Sequence, residues 1–134
     1  MSQSINPEGW PRPRGYSNGT LAEGRYLAIA GQIGWNERCE LVGSPLLSQA
    51  AQAMRNIAAI LHAAGGRPED LVRMTWYVTD KLAYRSAMGE LGVAYKEQFG
   101  DAYAAMTLVQ VADLLEDGAR VEIEATAILG SHRG

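Results

Sequence analysis

Leu71-Val72-Arg73-Met74-Thr75-Trp76-Tyr77-Val78-Thr79 is the stretch on which the fold turns. Val72, Met74, Trp76 and Val78 alternate with Arg73, Thr75, Tyr77 and Thr79. A strand here sends an apolar row to one side and a mixed row to the other. Upstream the period changes. Ser44-Pro45 supplies an N-cap and a first-turn proline, and Leu47, Ala50, Ala51, Met54, Ile57, Ala58, Leu61 and Ala64 recur at helical spacing. Gln52, Arg55, Ala59 and His62 fall opposite, and Gly65-Gly66 before Pro68 ends the helix. Downstream, Asp80 caps a second helix with the stripe Tyr84, Met88, Leu91, Tyr95 and Phe99, closed by Gly100.

Further out lie three more strands: Tyr26–Ile33, 105–111 and 120–128. In the first, Leu27, Ile29, Gly31 and Ile33 share a face, and pairing with the short segment before Glu23-Gly24 is expected. The order strand, helix, strand, helix, strand, strand gives an α+β fold. Right-handed crossovers place both helices on one face of a mixed sheet of about five to six strands. The other face carries Tyr26, Ala28, Ala30, Thr75 and Tyr77 beside Gln32, Arg73, Glu122 and Glu124. Either identical subunits cover this mixed face or water does.

With 134 residues, one domain is expected, residues 1–20 forming an N-terminal arm; positions 6–20 are dense in Pro, Gly and Asn. A net charge of −3 without a basic run disfavours nucleic acid as a partner. No apolar stretch is long enough to span a membrane, and the N-terminus lacks a signal-peptide pattern, so a cytoplasmic protein is expected. The single cysteine, Cys39, reads as a free thiol in a charged loop; no spacing suggests a metal or other cofactor. His62 and His132 have no partner that would make a triad arguable.

No sequence motif announces a reaction. Glu122 and Glu124 leave the same face of the last strand, about 6.5–7 Å apart at the backbone. They serve either as acid–base groups in a cleft or as the polar half of an alternating strand, salt-bridged to Arg73 or to a neighbouring chain. Arg12 and Arg14 lie within five residues of Trp10 and alternate with prolines. They present fixed donors to a carboxylate or belong to a polar loop tied down by Trp10.

Several segments together resemble the RidA/YjgF family. They are Gly15-Tyr16-Ser17-Asn18-Gly19, Ala30-Gly31-Gln32-Ile33, Gln49 through Asn56 leading to Ala63-Ala64-Gly65, and Val72-Arg73-Met74-Thr75 with Tyr77-Val78-Thr79-Asp80. Tyr95 with Phe99, Val109-Gln110-Val111-Ala112 and Val121-Glu122-Ile123-Glu124-Ala125-Thr126-Ala127 complete the match in order. The resemblance implies a chorismate-mutase-like fold, a homotrimer, and a site for a small carboxylate-bearing metabolite in each cleft between subunits. It also implies hydrolysis of reactive enamines or imines, such as 2-aminoacrylate, to a 2-keto acid and ammonia. Tyr16 matches the cleft tyrosine and Glu122 the water-positioning glutamate.

The family arginine that binds the substrate carboxylate is absent. Met106 stands at its position, and Gly92 where asparagine is frequent. A thioether cannot neutralise a carboxylate, and a charge-assisted bond of about 1.5–3 kcal/mol is lost. Three readings follow. The first is a deaminase of a bulkier imine than 2-aminoacrylate, with Glu122 catalytic. Arg12 or Arg14 then replaces the arginine, Trp35 or Trp76 shapes the pocket, and Tyr16, Gly31, Gln32, Met106 and Thr107 complete its lining. The second is a non-catalytic trimer that binds a small metabolite. The third is the endoribonuclease or translation-inhibitor role, which the acidic balance disfavours.

Overall fold

A computed structural model describes residues 2–130; His132 lies outside the described residues. Six strands form: β1 Gln3–Ile5, β2 Gly19–Leu21, β3 Arg25–Gln32, β4 Leu71–Val78, β5 Ala105–Gln110 and β6 Val121–Leu129. Three α-helices accompany them: α1 Leu46–Ala63, α2 Lys81–Ser86 and α3 Met88–Phe99. The main sheet has four strands in the order β3-β6-β4-β5, with β4 and β5 parallel and β6 antiparallel to both its neighbours. This is the expected α+β arrangement with two corrections. The segment before Glu23-Gly24 pairs with β1, not β3, so the six strands divide into a four-stranded and a two-stranded sheet. The second helix is two helices, broken at Ala87.

The first helix opens one residue later than expected. Pro45 is its N-cap, with no side-chain cap, and Leu46 rather than Leu47 is buried. It closes in a Schellman motif: Gly65 at φ +82° donates to His62 and Gly66 donates to Leu61. Asp80 caps α2 as expected, accepting from the backbone N–H groups of Leu82 and Ala83. Between the helices and the sheet lies the core: Met54, Ile57 and Leu61 of α1, Leu91, Tyr95 and Phe99 of α3, Met74, Trp76 and Val78 of β4, and Val121, Ile123, Ala125 and Ala127 of β6. Met88, expected in that stripe, is 55% exposed, because the break at Ala87 turns the start of α3 away from the core.

Two polar side chains of α1 hold the long loop between β3 and the helix. Gln49 is fully buried, donating to the carbonyls of Gly43 (2.8 Å) and Gly118 (3.0 Å) and accepting from the backbone N–H of Arg120 (2.7 Å). Asn56 donates to the carbonyls of Ile33 and Trp35. The helix approaches so closely that a Cβ on Gly34 would lie 2.5 Å from the Gln49 Cα.

A register shift between Ile29 and Gln32 corrects the reading of β3. Ile29 pairs with Ala125 but Gln32 with Ile123, so the strand carries one extra residue. The bulge rotates Gly31 away from the face of Ile29: a Cβ there would point at Glu122, 2.1 Å from its Oε2.

Candidate functional site

The arm is strapped to the start of β5. Ser17, buried, donates its hydroxyl to the Tyr103 carbonyl (2.7 Å) and its backbone N–H to the Ala104 carbonyl (3.0 Å). The Asn18 backbone and amide both donate to Asn6 Oδ1, and Thr20 donates to the Val72 carbonyl. Trp10 does not tie the arm down, being 60% exposed. The strap brings Arg14, Gly15 and Tyr16 to the rim of a cavity of about 630 Å3 between the arm, α3 and the first residues of β5.

Of the residues expected at a site, Arg14, Tyr16, Trp76 and Met106 line this cavity. Its apolar wall is completed by Tyr84, Met88, Leu91, Val93, Tyr95 and Tyr103. Trp76 meets Tyr84 edge-on at 5.9 Å, and Tyr95 stacks on Tyr103 at 5.3 Å. The Tyr95 hydroxyl donates to the Ala102 carbonyl (2.6 Å), and burial raises its pKa above the usual tyrosine value; burial acts on Tyr84 in the same direction. Trp76 is 3% exposed, and its indole N–H finds no acceptor among the described residues.

Two cations stand at the rim, and the lining contains no carboxylate. Arg14 forms no ion pair among the described residues, whereas Lys96 reaches Asp101 at 3.5 Å in an exposed pair. Lys96, one helical turn beyond Gly92, was not foreseen in the sequence. It follows the same α3 face as Met88 and Gly92, which had been read as core stripe and lost contact.

The other expected residues lie elsewhere. Glu122 pairs in register with Tyr77, and Glu124 with Thr75, on the helix-free face; Met106 pairs with Met74, whose row faces the helices. Glu122 and Met106 thus sit on opposite faces of one sheet. Glu122 rests over Gly31. Thr107 lines a shallow hollow of about 290 Å3 on the open face, with Arg73, Thr75, Tyr77, Glu124 and Thr126. There the Tyr77 hydroxyl donates to Glu124. That bond is the first cause of the raised Tyr77 pKa, followed by desolvation and the charges of Glu124 and Glu122. Arg73 is in no ion pair with either glutamate. Gln32 bonds the Ala30 carbonyl, and Trp35 bridges to Leu41 in the loop; neither lines the cavity, nor does Arg12, exposed on the arm. His62 is exposed on α1, and Cys39 is exposed in a turn at φ +59°.

The family model described as Endoribonuclease L-PSP matches residues 11–129. Among similar proteins, a RutC family protein of Pyrococcus horikoshii is 34% identical over 95% of this chain and 98% of its own length. A 2-iminobutanoate/2-iminopropanoate deaminase of Capra hircus is 36% identical over 86% of this chain and 80% of its own. The crystal structure of YyfB from Yersinia pestis, a protein of unknown function of the conserved Rid protein family, superposes with a TM-score of 0.83. It is 36% identical and covers 96% of this chain and 98% of its own.

Proposed function

This chain belongs to the RidA/YjgF family, also described as endoribonuclease L-PSP, and from that premise we propose that it is a homotrimeric deaminase of an imine or enamine carboxylate. Its sites lie between neighbouring copies. One observation carries the reading: the cavity of a single chain is lined by two cations and four tyrosines but no carboxylate, while Glu122 stands on the opposite, uncovered face of the sheet. A lone chain cannot bring Glu122 to Arg14. A neighbour packed on the open face can, and that face bears the mixed, aromatic-containing surface of Tyr26, Ala28, Thr75 and Tyr77 that interfaces use.

In the proposed site Arg14 takes the substrate carboxylate in place of the arginine that Met106 removes, and Tyr16 packs beside it. Glu122 of the adjoining copy accepts a proton from water as the oxygen bonds to the C=N carbon. It passes that proton to nitrogen to give the carbinolamine, then carries the hydroxyl proton to nitrogen as C=O forms and the C–N bond breaks, so imine plus water gives 2-keto acid plus ammonia. Relatives named as 2-iminobutanoate/2-iminopropanoate deaminases support this reaction class. Loss of the family arginine supports a substrate other than 2-aminoacrylate.

The same Met106 favours a second reading, a trimer that binds a carboxylate metabolite without turnover. An amino-acid oxidase supplying imine, with ammonia release followed under catalase, separates the two. Acceleration by the protein and its loss in Glu122→Ala support the enzyme; saturable keto-acid binding with no acceleration supports the binder. The endoribonuclease description of the family is the weaker guide here, since a chain of net charge −3 lacks the basic track a phosphate backbone requires. Salt-dependent retention of RNA would reverse that judgement. Sedimentation as a 14.5 kDa particle would remove the intersubunit site.

A further inference from the structure

The wall of the cavity along α3 is missing two side chains. Gly89 sits in the first turn of α3 and Gly92 further in, where glycine is the poorest former after proline, and both line the cavity. Neither is required by the packing of the chain. A Cβ at either position would meet nothing within 4 Å, and neither has a φ in the left-handed region. Gly34 and Gly31 make the contrast: there a Cβ would collide with Gln49 or Glu122. The helix gives up stability at Gly92, and the space that both glycines leave belongs to the cavity.

Lys96 lies one helical turn beyond Gly92, and Trp76, Tyr84, Met88 and Met106 line the same cavity. Its volume lies in the range of about 300–1,000 Å3 typical of pockets that enclose drug-sized ligands, and a pyruvate-sized imine leaves most of it unfilled.

We infer that the site takes imines with a bulky apolar 2-substituent, an aryl or branched alkyl group, with the carboxylate at the Arg14 rim and the substituent over Gly89 and Gly92. This rests on the deaminase reading above. It extends that reading to a substrate class: the imines made when aromatic or branched-chain amino acids are oxidised.

The test uses the intact protein with an amino-acid oxidase, catalase and semicarbazide as the imine trap. Imines derived from phenylalanine and leucine are compared with 2-iminopropanoate. The expected result is kcat/KM at least tenfold higher for the bulky imines. Gly92→Leu, and the milder Gly92→Ala, should lower the ratio of bulky to small kcat/KM, at least tenfold for leucine, without lowering the melting temperature. A wild-type preference for 2-iminopropanoate, or a ratio unmoved in both variants, overturns the inference. If no imine of any size is accelerated, the deaminase reading fails instead. Titration of phenylpyruvate and pyruvate, followed by tryptophan fluorescence, then still decides the size preference. Tenfold tighter phenylpyruvate upholds it, and equal affinity ends it.

Discussion

Gly31→Ala tests the role of Glu122 without touching the carboxylate. In the native structure the added Cβ would stand 2.1 Å from Glu122 Oε2, 2.8 Å from Cδ and 3.0 Å from Cγ. Ordinary contact needs 3.4–4 Å, so the carboxylate must retreat by more than 1 Å. The backbone at Gly31 has no left-handed φ and accepts alanine without strain. Two small terms then oppose each other. Removing a glycine stabilises by about 0.4–1 kcal/mol through the unfolded chain, and forcing Glu122 off its rotamer costs about 0.5–1.5 kcal/mol. The net change in stability stays within about 1 kcal/mol, a few degrees in melting temperature.

Catalysis does not share that tolerance. Misplacing a reacting group by about 1 Å lowers rates about a hundredfold. Gly31→Ala is therefore expected to melt near the wild type, keep its oligomeric state and lose about two orders of magnitude in kcat/KM on a verified imine. The control is Glu122→Gln. In that background Gly31→Ala should do nothing more, because the only group it displaces is already disabled. A Gly31→Ala enzyme with wild-type kcat/KM would refute the placement of Glu122 as the water-handling group. Equal losses in both backgrounds would show that the alanine acts through subunit packing instead.

Three further outcomes test the frame around the site. Gln49→Leu removes the bonds to the carbonyls of Gly43 and Gly118 and from the N–H of Arg120, and at about 0.5–1.5 kcal/mol for each bond the unfolding free energy measured in urea should fall by a few kcal/mol. Gly34→Ala drives a Cβ to 2.5 Å from the α1 backbone, which cannot swing aside as a side chain can; overpacking of this kind costs about 1–3 kcal/mol, read by thermal melting. Burial raises the Tyr95 pKa above the ordinary 10.0, so its contribution is intact below pH 10 and is lost as the unfolded chain ionises above it. Urea unfolding measured upward from pH 9 should show stability declining past pH 10, more shallowly in Tyr95→Phe, which also loses about 1 kcal/mol at neutral pH with its bond to Ala102.

The sheet was legible because alternation survives burial: from Met74 on in β4 and throughout β6 the two faces are buried and open as read, while Val72 is half-buried and Leu71 buried at a register shift between Leu71 and Arg73. The helix-capping chemistry of Asp80 and Gly65 was equally local and equally readable. Reading failed where a single residue changes the phase. The extra residue in β3 reverses Gly31, and the break at Ala87 carries Met88 from core to rim. Neither leaves a signature in the period on either side. Lys96 was missed for a related reason, since a lysine four residues after a glycine reads as solvated helix, and nothing in the sequence places a cavity beside it. The signal that existed was Gly92, a glycine in a helix interior that costs stability unless something else occupies its space.

What no reading of one chain yields is the meeting of Arg14 with Glu122. Alternation puts Met106 and Glu122 on opposite faces, and the sheet between them is continuous, with β6 and β5 flanking β4. No side-chain rotation can bring a group across it. In the proposed reading the cation-rimmed apolar cavity and the carboxylate seated over a glycine are two half-sites. If the half-sites act together they do so only between copies. That arrangement makes a further result mandatory. Mixing Arg14→Ala with Glu122→Ala, each inactive alone, must restore activity once subunits exchange, because a fraction of the mixed assemblies contains one cleft with both native groups. Were the groups to act within one chain, every cleft in the mixture would lack one of them, and no recovery would be seen.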